Sequence, residues 1–578
     1  MVSWAKIAKA ATISLVLTLL ALGGSKLNLF GFEDITNAGS DDVWQRLTAG
    51  ADGRDERPGQ DLVRNVHIDD EGLTALRGQG WTGWPPGYAN LGYMIEDVLS
   101  AGSEPPRAVF ADLIILGQAG LTPEGEADFA TLVDVLSEAT RAEAWNGHTA
   151  CLSDPLTRLA CIVEAGGVPI ILAKPDAAEQ AGQTDVQRRL DQVALLSPVL
   201  VGARAYPLVN AYDDQPLPGV AGFDLSPAGA LYAAGCLRAL KATGENSCGL
   251  PAFETAAAAA RAALSGVPPP SGAATALRRA WASDMSVVWG DRIPERQAEF
   301  TEAVSSSPAP ECRHDVGLFT RVFEQSVAAR GVGSGERQAC AYTFNLGYDR
   351  LVAGFGLTQD RYDYVLADRL VLIGSHMRNS DWAPTPLHGQ LPGVHYHAMA
   401  LDNLVQFGAD YRRIESTFLN TDDILKSLLT FVLLFTVIVA VMARNAILEE
   451  VFPDREGRLP VWATPIYYGL LAVLILGLTG LVTWLGAGVW QRAVVNWLGI
   501  LSLTFSVLVM AARTTLLQDA GSSLRWTTAI GDRLKFENDT LSRRRRAAPA
   551  DPVPAPAAAA APAPRRPRSR RKKAPDAS

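Results

Sequence analysis

Several acidic residues stand at or just after the expected ends of strands in this 578-residue chain. VRNVHI (63–68) ends in Asp69 and Asp70, AVFADLIIL (108–116) carries Asp112, and Asp381 follows LVLIG (370–374). If the runs are parallel strands, these carboxylates reach one rim of a sheet, the place where α/β folds put ligands. Together with His397 they could bind a cationic or metal-linked ligand. The competing reading is that each Asp caps a helix or a turn. Four of the seven histidines, His376, His388, His395 and His397, fall within one short stretch. His395 and His397 would share a face if they alternate on a strand or sit in a loop. A transition-metal site or a proton sensor is one reading of that cluster, and polar filling of a loop over 385–392 is the other.

No pattern for a phosphate-binding loop, a zinc protease helix or a hydrolase nucleophile elbow occurs. The expectation is a protein that is not an enzyme and needs no cofactor. The six cysteines, Cys151, Cys161, Cys236, Cys248, Cys312 and Cys340, all lie between the first and second apolar blocks. An even number confined to an exported segment reads as disulfides. Six cysteines allow 15 pairings, of which the sequential set 151–161, 236–248 and 312–340 is the simplest.

The elements that would hold these groups follow from periodicity. Runs 63–68, 108–116, 168–173 and 370–374 are buried-type strands, and 87–101 and 126–142 carry helical apolar stripes. Alternation of this kind predicts a mostly parallel α/β sheet flanked by helices. The Ala-, Ser- and Pro-rich stretch 225–345 reads as an α-helical insertion, broken by the loop Val267–Gly272.

Four blocks are apolar enough to cross a bilayer: Trp4–Gly24, Ile424–Ala443, Thr464–Leu485 and Ala493–Ala512. The first reads as a signal anchor, with a cleavable signal peptide as the alternative. Lys6 and Lys9 precede it, and Arg444, Arg455 and Arg458 fall between the second and third blocks. The positive-inside rule then puts residues 25–423 outside and 513–578 in the cytoplasm, with the chain multi-pass in an inner membrane. Net charge is −9, yet residues 543–578 hold eleven Lys and Arg against two Asp. Such a tail cannot bury a core; it suits anionic lipid, and no DNA partner is expected.

The segment LVLIGSHMRNSDWAPTPLHGQLPGVHYHAMALDNLV (370–405) resembles the C-terminal signature of the CHASE type 2 domain, an extracytoplasmic sensory module. The matching positions are Ile373-Gly374, Asp381, Thr385-Pro386, Pro392-Gly393-Val394 and His397-Ala398. Upstream, Ile68-Asp69-Asp70-Glu71, Trp84-Pro85 and Phe110-Ala111-Asp112 are similar to its first half, whereas His395 departs from an acidic position of the pattern. The resemblance implies a sensory domain over most of 30–415, followed by three membrane helices. Relatives of that architecture often end in a cyclase, kinase or phosphatase, and residues 513–578 are too few for one. The expectation is a receptor subunit that signals through a separate cytoplasmic effector, with homodimerisation open. A scaffold subunit of an envelope complex and an exterior hydrolase are the alternatives.

Overall fold

The computed structural model describes residues 4–26, 40–45 except 42, 58–113 except 79 and 82, 123–174, 185–199, 205–211, 223–290, 297, 342–353, 358–377, 382–385, 389–414, 421–451, 463–485 and 497–515. Residues 1–508 form one compact unit and 509–578 a second, of which 509–515 are described and helical.

Six strands make the central sheet: β1 (Val63–Ile68), β2 (Ala108–Ala111), β3 (Ile170–Lys174), β4 (Leu195–Pro198), β5 (Phe344–Gly347) and β6 (Leu370–Ser375). Their order is β4-β3-β2-β6-β1-β5, and every pairing is parallel. The last strand in sequence therefore lies between the first two, pairing Val63 with Leu370 on one side and Ala108 with Leu370 on the other. Every residue of β2, β4 and β6 is buried. That pattern requires cover on both faces and explains why these strands read as unbroken apolar runs rather than as alternating ones.

Helices 227–243 and 393–407 lie on the sheet and on each other, and helices 155–164 and 251–264 pack against helix 227–243. Helices 88–100 and 123–140 form a second pair, meeting where Gly92 admits the backbone of Leu132. The stretch 225–345 expected to be a helical insertion holds three helices, Pro227–Thr243, Pro251–Leu264 and Ala273–Ala280, but also a short strand, Asp284–Ser286, and the start of β5. Three of these cover helices start with Pro in the first turn, where its missing N–H costs nothing. Two of those three also have a side-chain cap: Asp154 accepts from Thr157 N and Ser226 from Gly229 N.

Disulfides join Cys151 to Cys161 and Cys236 to Cys248, two of the three sequential pairs expected. Cys312 and Cys340 lie outside the described residues. The first ties a short 3-10 turn to helix 155–164, and the second fastens the middle of helix 227–243 to the turn before helix 251–264.

Four helices have the length and apolar composition to cross a membrane: Trp4–Gly23, Lys426–Leu448, Ala463–Leu485 and Trp497–Thr515. The second sits within a 31-residue helix, Thr421–Val451, longer than the apolar block alone implied. Leu15, Leu19, Leu20, Leu470, Val473 and Leu481 are exposed on these helices, as side chains facing lipid would be. Helix 4–26 packs along helix 421–451. Its buried residues are Ala10, Ser14 and Thr18, one helical turn apart and small enough to bring two backbones close.

Two substitutions test this account. Replacing Cys236 and Cys248 by Ala should lower the unfolding free energy by about 3 kcal/mol, the loop-closure value for a separation of 12 residues, read from denaturant midpoints of the full chain in detergent. Gly374→Ala would put a Cβ 2.6 Å from that of Val394, so it should destabilise by roughly 1–3 kcal/mol through overpacking.

Candidate functional site at the carboxyl rim of the sheet

The parallel sheet brings the ends of β1, β6 and β2 side by side. β1 ends in His67 and Ile68 and is followed by Asp69; β6 ends in Ser375 and is followed by His376; β2 is followed by Asp112. The rim is stitched by backbone bonds: His376 N donates to Ile68 O at 2.8 Å, and Asp112 N donates to Ile373 O at 2.7 Å.

Of the residues the sequence singled out, Asp69 works as a helix cap. Its Oδ1 accepts from Gly72 N at 2.6 Å and starts helix Asp70–Arg77. Asp70 is exposed in the first turn of that helix, where a carboxylate is favoured by the helix dipole. Asp112 is half-buried at the end of β2. Asp381 and His388 lie outside the described residues.

His395 and His397 do not share a face. The segment expected to be a strand or loop there is the first turns of helix Gly393–Phe407. Two residues apart on a helix point about 200° apart, so the two rings enter different surroundings. The stretch 385–392, one reading of which was a loop, holds the ends of an antiparallel pair, Trp382–Thr385 with Gly389–Pro392. Pro392 closes that pair and opens the helix, since its fixed φ suits both.

His397 is almost fully buried against the edge of Phe110, with ring centroids 5.5 Å apart. Its Nδ1 meets the Tyr206 hydroxyl at 2.8 Å, and Ala228 N donates to that hydroxyl at 3.2 Å. The Nε2 of His397 is buried with no hydrogen-bond partner among the described residues. Burial holds this imidazole neutral and pushes its pKa down to about 3. Burial likewise drives the Tyr206 phenol far above its ordinary value, with Tyr396 and Asp112 adding to the effect.

His395 points the other way, into a chain of three imidazoles drawn from three elements. The His67 ring stacks on His376 with centroids 4.3 Å apart and planes at 27°. His376 and His395 lie with centroids 4.7 Å apart and their Nε2 atoms in close contact. The Nδ1 of His395 faces Asn65 Nδ2 at 3.0 Å. That same amide nitrogen faces Thr343 Oγ1 at 2.9 Å and Asn345 Oδ1 at 3.3 Å. Asn345 commits its own Nδ2 to Thr343 O at 2.8 Å, which fixes its Oδ1 as the acceptor facing Asn65. His67 and His376 both titrate below the ordinary histidine value. For His376 the causes are burial, then the neighbouring His67 and His395; for His67, burial is partly offset by Asp69.

Sequence reasoning missed Asn65 and His67. The available signal was polar residues inside a strand buried on both faces: Arg64, Asn65 and His67 in VRNVHI. Arg64 is a structural case, completely buried and lying 5.0 Å from the Phe344 ring centre and 5.1 Å from that of Tyr364. Among the described residues no group of three or more His, Cys, Asp and Glu side chains is arranged to hold a metal ion. The arrangement is instead a polar network of closely packed imidazoles and amides. Its chemical capacity is to accept protons or to exchange hydrogen bonds with a ligand at the rim.

The family model described as CHASE2 domain matches residues 12–442. No curated protein and no solved structure matches the chain.

Buried neutral histidines carry a sign for acid stability. The unfolded chain takes up protons as pH falls below about 6.5, whereas His397, His67 and His376 in the fold take them up only at lower pH. Stability is therefore complete above that value and lost as pH falls through it. Unfolding free energies measured from pH 7 to pH 4.5 should fall with acid in the wild type. In His397→Leu the slope should be shallower by up to about 1.4 kcal/mol per pH unit. An unchanged slope would refute the assignment of a neutral His397.

Proposed function

Because the chain belongs to the CHASE2 domain family of extracytoplasmic sensory modules, we propose that it is a membrane-bound receptor subunit whose exterior domain detects a ligand or partner and relays that event to a separate cytoplasmic effector. The observation that carries this reading is how the domain is tethered. Helix 4–26 enters it, helix 421–451 leaves it, and the two pack along each other. A change of shape between those two tethers has to act on that helix pair, because interfaces of packed helices shift between discrete arrangements rather than deforming smoothly.

The composition of residues 543–578, Arg/Lys clusters alternating with Pro and Ala, suits contact with a charged partner. Basic clusters beside a membrane helix attract anionic lipid by about 1 kcal/mol per charge near the surface, and the same charge suits an acidic protein partner. In this reading the membrane is the inner membrane, the domain faces the periplasm, and 513–578 face the cytoplasm. A binding role has more support than an exterior hydrolase built on the rim carboxylates, since Asp69 is engaged as a helix cap.

The reading is testable in two steps. Tyr93 is half exposed on helix 88–100; in intact cells, Tyr93→Cys should react with a membrane-impermeant maleimide, while Ser542→Cys should react only after permeabilisation. The reverse pattern would sink the topology and with it the receptor. Chemical cross-linking should then recover a cytoplasmic protein with the full chain and at least tenfold less of it when residues 516–578 are deleted. Equal recovery would remove the relay through the tail.

A further inference from the structure

Three histidines, from β1, the residue after β6 and helix 393–407, form a contact chain at the rim, and the hydrogen atoms available to His376 and His395 permit only one charge state of that pair. Asn65 Nδ2 is a donor, so His395 Nδ1 must offer its lone pair. The neutral His395 ring then carries its hydrogen on Nε2 and donates it to His376 Nε2, which must also be bare. A proton on His376 Nε2 would set two hydrogens face to face in that contact. One on His395 Nδ1 would face the Asn65 amide hydrogens. The contact as built exists only while both rings are neutral.

We propose that this His67–His376–His395 contact is a proton-released latch: acid on the outer side of the membrane breaks it, frees the start of helix 393–407 from β6 and β1, and thereby loosens the domain's grip on the last membrane helix. This deepens the sensory reading above and rests on it, naming the hydron itself as one signal.

The connection from latch to membrane is continuous in the structure. Helix 393–407 carries Asn403, whose side chain accepts from Val288 N at 2.9 Å and donates to Val288 O at 2.9 Å. The residues on either side of Val288 bind Gln45: its Nε2 donates to Val287 O at 3.1 Å, and its Oε1 accepts from Trp289 N at 3.1 Å. Five residues earlier, Ser40 is fully buried at the start of the last span. Its Oγ accepts from Leu498 N at 3.0 Å, and its carbonyl accepts from Trp497 Nε1 at 3.0 Å. Ser40 thus satisfies one of the open N–H groups at that helix start.

The charges around the latch decide how it responds. From β1 come His67 and, beyond it, Asp69, which favours a proton on His67. Helix 348–353 brings Asp349, close to Asp69 across Gly72, with Arg350 3.3 Å from the Asp349 carboxylate. Helix 58–62 brings the exposed Asp61 and sets Gly59 against Asp402, on the helix 393–407 itself. Helix 227–243 has its cations engaged elsewhere, Arg238 on Pro106 O and Lys241 on Val163 O. The strands 382–385 and 389–392 bring no titratable residue. The carboxylates at the rim draw the first proton in, and the contact between His376 and His395 cannot keep it without separating.

The test is amide hydrogen exchange of the full chain in lipid nanodiscs, with rates corrected for the intrinsic effect of pH. Between pH 7.5 and 5, the amides of 284–290, 393–400 and Leu498 should lose protection at least tenfold, while those of β2 and β3 keep theirs. His376→Asn should abolish the pH step. Asn65→Asp places a carboxylate on His395 Nδ1, favours the protonated ring and should move the step up by one pH unit or more. Protection unchanged within twofold down to pH 4.5, an equal loss in β2 and β3, or the same midpoint in Asn65→Asp would each overturn the latch. If His376→Asn does not fold, the direction of the shift in Asn65→Asp still decides. None of these outcomes bears on the maleimide topology, so failure of the latch leaves the receptor reading standing.

Discussion

The seat of helix 393–407 on β6 is the contact on which most of this structure depends. At Gly374 the helix comes so near the strand that Val394 occupies the space a Cβ would need. A closely seated helix on a central strand cannot be displaced locally, because packed interiors do not stretch. That seat fixes the height and rotation of the whole helix. Its successive side chains are thereby aimed with little freedom: His395 at the rim, His397 against Phe110, Asn403 at the backbone of Val288. The polar side chains are expensive where they sit. Each buried amide or ring without its bonds costs on the order of 1–3 kcal/mol, so the arrangement persists only because the apolar contacts of Val394, Ala398, Leu401 and Leu404 hold the helix down.

Two solvents act on one chain here, and they divide the work. In the exterior domain the driving force is burial of Val, Ile, Leu and Ala on a sheet covered on both faces. Among the spans that force is absent, and close approach of small residues such as Ala10, Ser14 and Thr18 stands in for it. Helix association of that kind is shallow in energy beside a packed domain core. The domain is therefore the stiff partner and the helix bundle the compliant one, so that a rearrangement of a few kcal/mol in the domain can reset packing among the spans.

Legibility in the sequence followed burial. β6 was readable almost to the residue because a strand buried on both faces spells a continuous apolar run, as LVLIG does, and β1 was readable from Val63, Val66 and Ile68 despite the polar residues between them. The spans were readable for the same reason, although the helix Thr421–Val451 runs past its apolar block into Arg444 and Asn445. Helix 393–407 was hidden. Its opening, Pro-Gly-Val-His-Tyr-His, alternates polar and aromatic residues in the manner of a strand, and only the tight fit against Gly374, a tertiary fact, sets it as a helix. The histidine trio was half legible. His376 and His395 belonged to a visible cluster, but His67 lies more than 300 residues away from both, and parallel pairing of β1 with β6 alone makes them neighbours. Asp69 shows the opposite failure, since a carboxylate after a strand looks the same in sequence whether it waits for a ligand or caps the next helix.

The inserted strand resolves why one rim gathers so much polar chemistry. β6 arrives last and wedges between β1 and β2. The ends of the first, second and final strands of the sheet thus become neighbours, and residues from both extremes of the domain meet at one place. The neck of the domain follows the same rule, for Ser40 and Gln45, from the start of the chain, bind residues from its far end and from the insertion. A fold that closes on itself in this way cannot alter its rim without disturbing the segments that lead to the membrane. The long sequence separations that make the site hard to read are what couple it to the helices below.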